Sequence, residues 1–573
     1  MDRQTFENLN PDEQAKVFHA CSLTERGELL SYAHDPEQLT RSLSQEELYL
    51  VTREMDLEDR SEILKYATVS QLFFVSDIDC WRHDRIHPKH FIHWLETLER
   101  ADERRLFVWL AEMDFETVVA GFKQIVEILK PEWEYAADEL LGDRPYFTLD
   151  QLYYVTVSEE NFLTVKRALE LLFEHHRGRY TALVESIISE VDDQVEEEAY
   201  RKRGNRLADR GFPDPETAQQ VYRPMGQAEF DKFPKKGKPD ERPLEEIRMP
   251  HYLTLWQREQ LFLDEVLTFL QKEPLPVLEG LQEELAWLAN KVIAAEGIDF
   301  SSEERIRHGV ERARDLVSLG LELLSGRDIA KAAELARGHW LETLFRRALT
   351  LHAGMRSDAQ RIAREHWHGD EARFLNFLNA PYDHILKGAM RRLPECYDPG
   401  HKDEAYPWRD FRNLDELQKA QRAVDQLERL HLLLKKYVPK LFEMLEKEWD
   451  EDSADHPTLF SVLGTLLVSW TERGKMTADP LTAEEIRHFW TKAMVPHGSQ
   501  RRIQAEIKEN FLDHWMDAEE QALLMPVWAL VFQELEEEIG HVPESGALQM
   551  RFLRVFRVQA KSARLRPKSK SKK

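Results

Sequence analysis

Four histidines crowd one short run, Cys80-Trp-Arg-His83-Asp-Arg-Ile-His87-Pro-Lys-His90-Phe-Ile-His93. Histidines four apart on one helix can share a metal ion, because both rings leave the same face. His83 and His87 are therefore the metal candidates of this chain. Pro88 works against them. A residue before proline is pushed out of the α region, so His87 should end one element and Pro88 begin the next. No spacing supplies a defined third and fourth ligand. The expectation is an N-cap histidine among surface imidazoles, with no metal and no cofactor.

The most distinctive polar stretch is Arg206-Leu-Ala-Asp209-Arg210-Gly-Phe-Pro-Asp-Pro215. On a helix Arg206 and Arg210 are neighbours at i, i+4, and Asp209 reaches Arg206 at i, i+3. Gly211 suits the left-handed position that ends a helix, and the prolines stop it from resuming. Two uses fit these residues. One is an ion-pair corner that locks two helices. The other is a partner- or anion-binding site in which Arg206, Asp209 and Arg210 present guanidinium forks to a carboxylate or phosphate. The corner is the expected use.

Other polar runs carry less chemistry. Asp450-Glu-Asp-Ser-Ala-Asp455 lacks the central glycine and distal glutamate of a calcium loop and reads as a solvated connection. Cys396 and His401 are a thiol and a base in type, but spacing alone does not bring them within hydrogen-bond reach. Gly474-Lys475-Met476-Thr477 lacks the glycine-rich turn of a phosphate loop, and HExxH, GxSxG and GxGxxG are all missing. No catalytic residue is assigned. Near the C-terminus, Arg551, Arg554, Arg557 and Lys561 would share one side of a helix, and KSARLRPKSKSKK adds a basic tail.

The elements that must hold these residues are helices. Asn10 with Glu13, Ser22 with Glu25, Ser44 with Glu47 and Thr68 with Gln71 all have capping-box spacing. Asp35-Pro36 and His87-Pro88 are further helix starts. Between them lie apolar residues at helical spacing, such as Leu48, Val51 and Met55, or Ile63, Leu64 and Ala67. Starts so close together predict helices of two or three turns, which must stack on neighbours to bury a face. The expected organisation is a short-helix superhelical repeat region at 1–130 and a second helical segment at 131–222, starting at Thr148. A proline-rich, exposed linker at 223–250 follows, then a C-terminal helical domain at 251–558 and the basic tail at 559–573. A long element is expected over Asp415–Trp449. The fold class is all-α: a helical-repeat (superhelical) N-terminal region followed by a second helical domain.

The runs LNPDEQAKVF and SQEELYLVTREMDLEDRSEILKYATVSQLFFVSDIDCW, in the first quarter of the chain, resemble the cytosolic N-terminal helical superhelix of MgtE-type magnesium transporters. The transporter's membrane helices have no counterpart here, so the resemblance implies a superhelix and not transport. The stretches Glu196 to Pro224, ANKVIAAEGIDFSSEERI and SLGLELLSGRD are similar to an uncharacterised bacterial family of full-length all-helical proteins. That likeness runs over nearly the whole chain and implies a domain of unknown function.

Composition limits what such a body can do. The 573 residues are 42% hydrophobic and 32% charged, enough for a core under a heavily charged surface, with only 23 Gly and 25 Pro. A formal charge of −27 repels phosphate backbones, so nucleic acid is an unfavoured partner. Three scattered cysteines form no disulfide framework and point to a reducing, cytoplasmic compartment. No apolar leader opens the chain. The longest uncharged apolar run, Thr458 to Thr471, is short of the roughly 20 residues that cross a bilayer, so it reads as a core helix and integral membrane association is not expected. The expected role is a scaffold or adaptor with an unidentified protein partner. The alternatives are an enzyme whose site is assembled from distant residues, and a regulatory module recruited to membrane or nucleic acid by its basic tail.

Overall fold

Asn10 accepts a hydrogen bond from the Glu13 N–H (2.9 Å), and the Glu13 carboxylate accepts one from the Asn10 N–H (3.1 Å). This reciprocal box starts the helix Pro11–Ala20. Ser44 with Glu47 and Thr68 with Gln71 make the same exchange at the heads of Gln45–Arg53 and Val69–Asp79. Each box satisfies two backbone donors that a helix start leaves without partners. Ser22 lies outside the described residues.

The structure is a computed structural model. It describes residues 3–559 apart from 22, 54, 132–141, 143, 190, 237–260, 273–274, 298–302, 367–369, 402–405, 449–455, 499 and 543–552. Among the described residues helix dominates, strands occur only in small antiparallel groups, and no helix is long and apolar enough to cross a membrane. The chain is therefore all-α. It divides into two compact units, Met1–Arg347 and Ala348–Lys573. The expected segments 1–130 and 131–222 both fall inside the first unit, while 251–558 spans the division.

In the first unit the helices up to Lys123 are short, as their close-set caps require. Leu48, Leu64, Leu72, Trp94 and Trp109 fill the core between them. Buried charge is paired there: Arg26 donates to Glu47 at 2.9 Å, with both side chains fully enclosed. A hairpin, Trp81–Arg82 with Arg85–Ile86, precedes the helix Pro88–Ala101. Beyond Lys123 the chain departs from expectation. Thr148 does accept from the Gln151 N–H at 2.9 Å, but it caps a turn and not a helix, since Gln151 adopts φ +60°. The chain runs on into a strand, Tyr154–Thr156, flanked by Glu127–Leu129 and Tyr146–Phe147. The helix begins at Phe162. Residues 237–250 of the proline-rich stretch lie outside the described residues; most of 223–236 is exposed, but the segment is anchored at a few points. Met225 and Phe230 are buried, Met225 N–H bonds the Arg346 carbonyl (3.0 Å), and Lys236 N–H bonds that of Gly338 (3.0 Å).

In the second unit the apolar run becomes the buried helix Leu459–Arg473. The long element expected over Asp415–Trp449 breaks into Leu414–Tyr437 and Leu441–Glu448. The break falls at Val438, before Pro439, where the α region is disfavoured. The C-terminal segment is not an amphipathic helix over 553–559. It lies extended, pairing Val558 with Leu481 in a parallel bridge and burying Val555, Phe556 and Arg557. Its close approach uses Gly464, where a Cβ would stand 2.2 Å from the Val555 carbonyl oxygen. The Asp450–Asp455 run lies outside the described residues.

Candidate functional site

The helix Asp192–Ala208 carries Arg206 in its last turn. The chain then leaves through Gly211 at φ +85°, a conformation that would strain any residue with a Cβ. Arg206 turns inward. Its Nε and Nη2 donate to the two oxygens of Asp77 at 2.8 and 2.5 Å, and its Nη1 donates to Asp114. Arg203, one turn earlier, donates to the Asp77 carbonyl (2.8 Å) and lies over the Trp81 ring at 5.3 Å. Asp77 is 2% exposed, and burial pushes its carboxyl up while the Arg206 fork pulls it back.

Arg206 is thus ion-paired with two acids, neither of them the Asp209 that its spacing suggests. Asp77 and Asp114 come from the helix Val69–Asp79 and the N-cap of Phe115–Lys123. Asp209 and Arg210 are exposed and take no part. Arg210 instead faces the Gln45 amide oxygen, with both terminal nitrogens at 2.7 Å.

The far side of the corner leads to a surface that sequence reading missed. The Asn290 side chain donates to the Arg210 carbonyl at 3.0 Å, and the Trp287 indole lies 3.4 Å from where a Gly211 Cβ would be. Both belong to the helix Leu275–Ala295. On this helix Glu284 accepts from the Leu341 N–H (3.1 Å), and Lys291 pairs with Glu342 (2.7 Å). These contacts hold the residues just after Trp340 along the face that carries Trp287. Lys236 completes the seam: its ammonium pairs with Glu284 at 2.6 Å and sits 5.6 Å from the centre of the Trp340 ring. Burial pushes the Glu284 carboxyl up and the Lys236 amine down, and their mutual attraction opposes both shifts. Trp287 and Trp340 each remain 47% exposed. The only hint in the sequence is that Trp287 stands beside Leu288 and Leu285 without being needed for the buried stripe.

The histidines do not share a helix. His83 sits at the hairpin tip with φ +56°, and His87 is the N-cap of Pro88–Ala101, making no side-chain cap bond. The His87 and His90 rings meet edge to face at 4.6 Å, and His90 Nδ1 bonds the Asp79 carbonyl at 2.9 Å. Among the described residues no three His, Cys, Asp or Glu stand together as metal ligands.

In the second unit burial pushes the Cys396 thiol up to about 11, so it is not poised as a thiolate. A different pair is built nearby. His384 Nδ1 bonds the Asp383 carboxylate at 2.6 Å, and its ring is flanked by Tyr397 (4.7 Å) and Trp408 (5.9 Å). The paired strands Cys396–Tyr397 and Trp408–Arg409 pack closely on the helix Tyr382–Ala389 at Gly388, whose Cβ would lie 2.4 Å from the Glu395 carbonyl oxygen.

The profile of a family of unknown function matches residues 3–559. No curated protein and no solved structure matches the chain, so the transporter likeness of its first quarter gains no support.

Proposed function

We propose that this chain, which belongs to the family of unknown function DUF6178, is a cytoplasmic scaffold or adaptor that holds a protein partner on a helical surface. The observation that carries this reading is the pair of half-exposed tryptophans, Trp287 and Trp340, on a seam braced by Glu284, Lys236, Lys291 and Glu342. Exposed tryptophan costs solvation without adding solubility, and tryptophan is enriched at the energetic centres of protein interfaces. Covering about 100 Å² on each ring would contribute about 2.5 kcal/mol apiece. The bracing ion pairs hold the rings in place beforehand, which lowers the ordering cost of docking. The free cysteines fit a reducing compartment.

The test is capture from a native lysate with the full chain and with W287S/W340S, after checking that both melt alike. A partner held at fixed ratio by the wild type and lost by the variant supports the reading. No stoichiometric partner, or one the variant keeps, overturns it.

A second reading, an enzyme with a site assembled from distant residues, rests on the Asp383–His384 pair. A carboxylate on Nδ1 leaves Nε2 as the proton-accepting nitrogen. A small molecule retained by the wild type and lost by H384Q would favour it.

A further inference from the structure

In a chain whose acids outnumber its bases, 105 to 78, the hairpin Trp81–Ile86 and the helix start behind it run the other way. Arg82, His83 and Lys89 are exposed, and none has a carboxylate partner among the described residues. The Arg82 guanidinium donates to the neighbouring Trp81 carbonyl (3.2 Å) and, at 3.5 Å, to His90 Nε2. The acid within the run is Asp84, and Arg85 is engaged with Glu196 at 3.4 Å. Partial burial and the neighbouring His90, Arg82 and Lys89 hold the His87 imidazole below its ordinary value.

The display is rigid. Trp81 and Ile86 are buried beneath it, the His87 N–H bonds the Cys80 carbonyl at 2.8 Å, and Arg203 covers the Trp81 ring. Asp84, the acid of the turn, makes no ion pair with Arg82 or Lys89 among the described residues. Leaving Arg82 and Lys89 unpaired costs self-repulsion and adds nothing to the core.

We infer that Arg82, His83 and Lys89 form a docking surface for an acidic segment of a partner protein. The inference rests on the scaffold reading and names the chemistry of one partner, through residues other than those of the tryptophan seam. An acidic peptide is favoured over nucleic acid because the −27 body repels a continuous phosphate backbone more than a few spaced carboxylates.

The experiment measures binding of a fluorescent Glu/Asp-rich peptide to the full chain by anisotropy at several salt concentrations. A single-stranded oligonucleotide of equal charge serves as the rival probe. Three proteins are compared: wild type, R82E/K89E, and K475E/K492E, which makes the same change in net charge at exposed lysines in the other unit. The expected result is peptide binding that weakens with salt and falls about tenfold in R82E/K89E, with little change in K475E/K492E. Equal losses in the two variants, no loss in either, no peptide binding at low salt, or tighter binding of the oligonucleotide would each overturn the inference. Lysate capture with R82E/K89E separates the two proposals. A partner still held at fixed ratio keeps the scaffold and removes this surface. Peptide binding that meets expectation without any captured partner keeps the surface and removes the scaffold.

Discussion

Arg206 and Asp77 stand 129 residues apart in the chain and meet through two hydrogen bonds, of 2.8 and 2.5 Å, with the carboxylate almost wholly buried. The pair ties the helix Asp192–Ala208 to the short helices before it. Replacing Arg206 by Ala would leave a buried carboxylate without its partner and should destabilise the fold by about 3 kcal/mol. Arg206→Lys should recover part of this, because it restores charge but not the fork. Urea unfolding of the three proteins reads both values. Unchanged stability in Arg206→Ala would mean that the corner does not brace the fold.

The helix Glu303–Ser325 passes Leu344 with no room for a side chain: a Cβ at Gly320 would be 2.2 Å from the Leu344 carbonyl oxygen. Helix propensity alone favours Gly320→Ala by about 1 kcal/mol, whereas forcing the backbones apart costs about 1–3 kcal/mol. Packing should win, and Gly320→Ala should melt earlier than wild type. Gly354→Ala, a helical position with nothing within 4 Å of the new carbon, should instead stabilise by about 0.5–1 kcal/mol. Parallel melts compare the two signs.

Glu485 accepts from Arg473 at 2.6 and 2.9 Å and from the Thr482 N–H at 2.8 Å. The Arg473 guanidinium holds this carboxyl at about 2, below its ordinary 4.5. Because the folded value is depressed, the ionised pair stabilises the protein fully above pH 4.5, and that contribution is lost as pH falls towards 2. Denaturation series across this window should show a shallower acid decline in Glu485→Gln than in wild type. Parallel slopes would contradict the assignment.

Lys236 lies in the stretch whose composition predicts an open linker, yet its N–H is bonded to Gly338 and its ammonium to Glu284. Trypsin should therefore cut slowly after Lys236. Trp340→Ala, which removes the ring beside the ammonium, should speed that cleavage, as followed by mass spectrometry over time. Rapid cutting of the wild-type protein at Lys236 would show that the packed strap opens readily.

Much of the helical framework is legible because its causes are local. Asn10 and Glu13, Ser44 and Glu47, and Thr68 and Gln71 sit three apart, and that spacing alone lets each pair close its box. The burial of Leu459–Arg473 follows from an uncharged apolar run too short for a membrane. Where the same local signals mislead, a competing constraint is present. Thr148 has the geometry of a cap, but the positive φ of Gln151 turns the chain into a strand.

The candidate sites were only half legible. Arg206, Asp209 and Arg210 stand out by type, but their spacing suggests an internal cluster that does not form. Residue spacing determines what can meet within one or two turns of helix, so the capping boxes, the short helices they open and the Gly211 exit follow from sequence alone. The acids that claim Arg206, the exposure of Trp287 and Trp340, and the absence of an ion pair to Arg82 among the described residues are decided by which distant helices pack together. Burial and ion pairing depend on distances through space, and for residues 129 positions apart the sequence contains no measure of them.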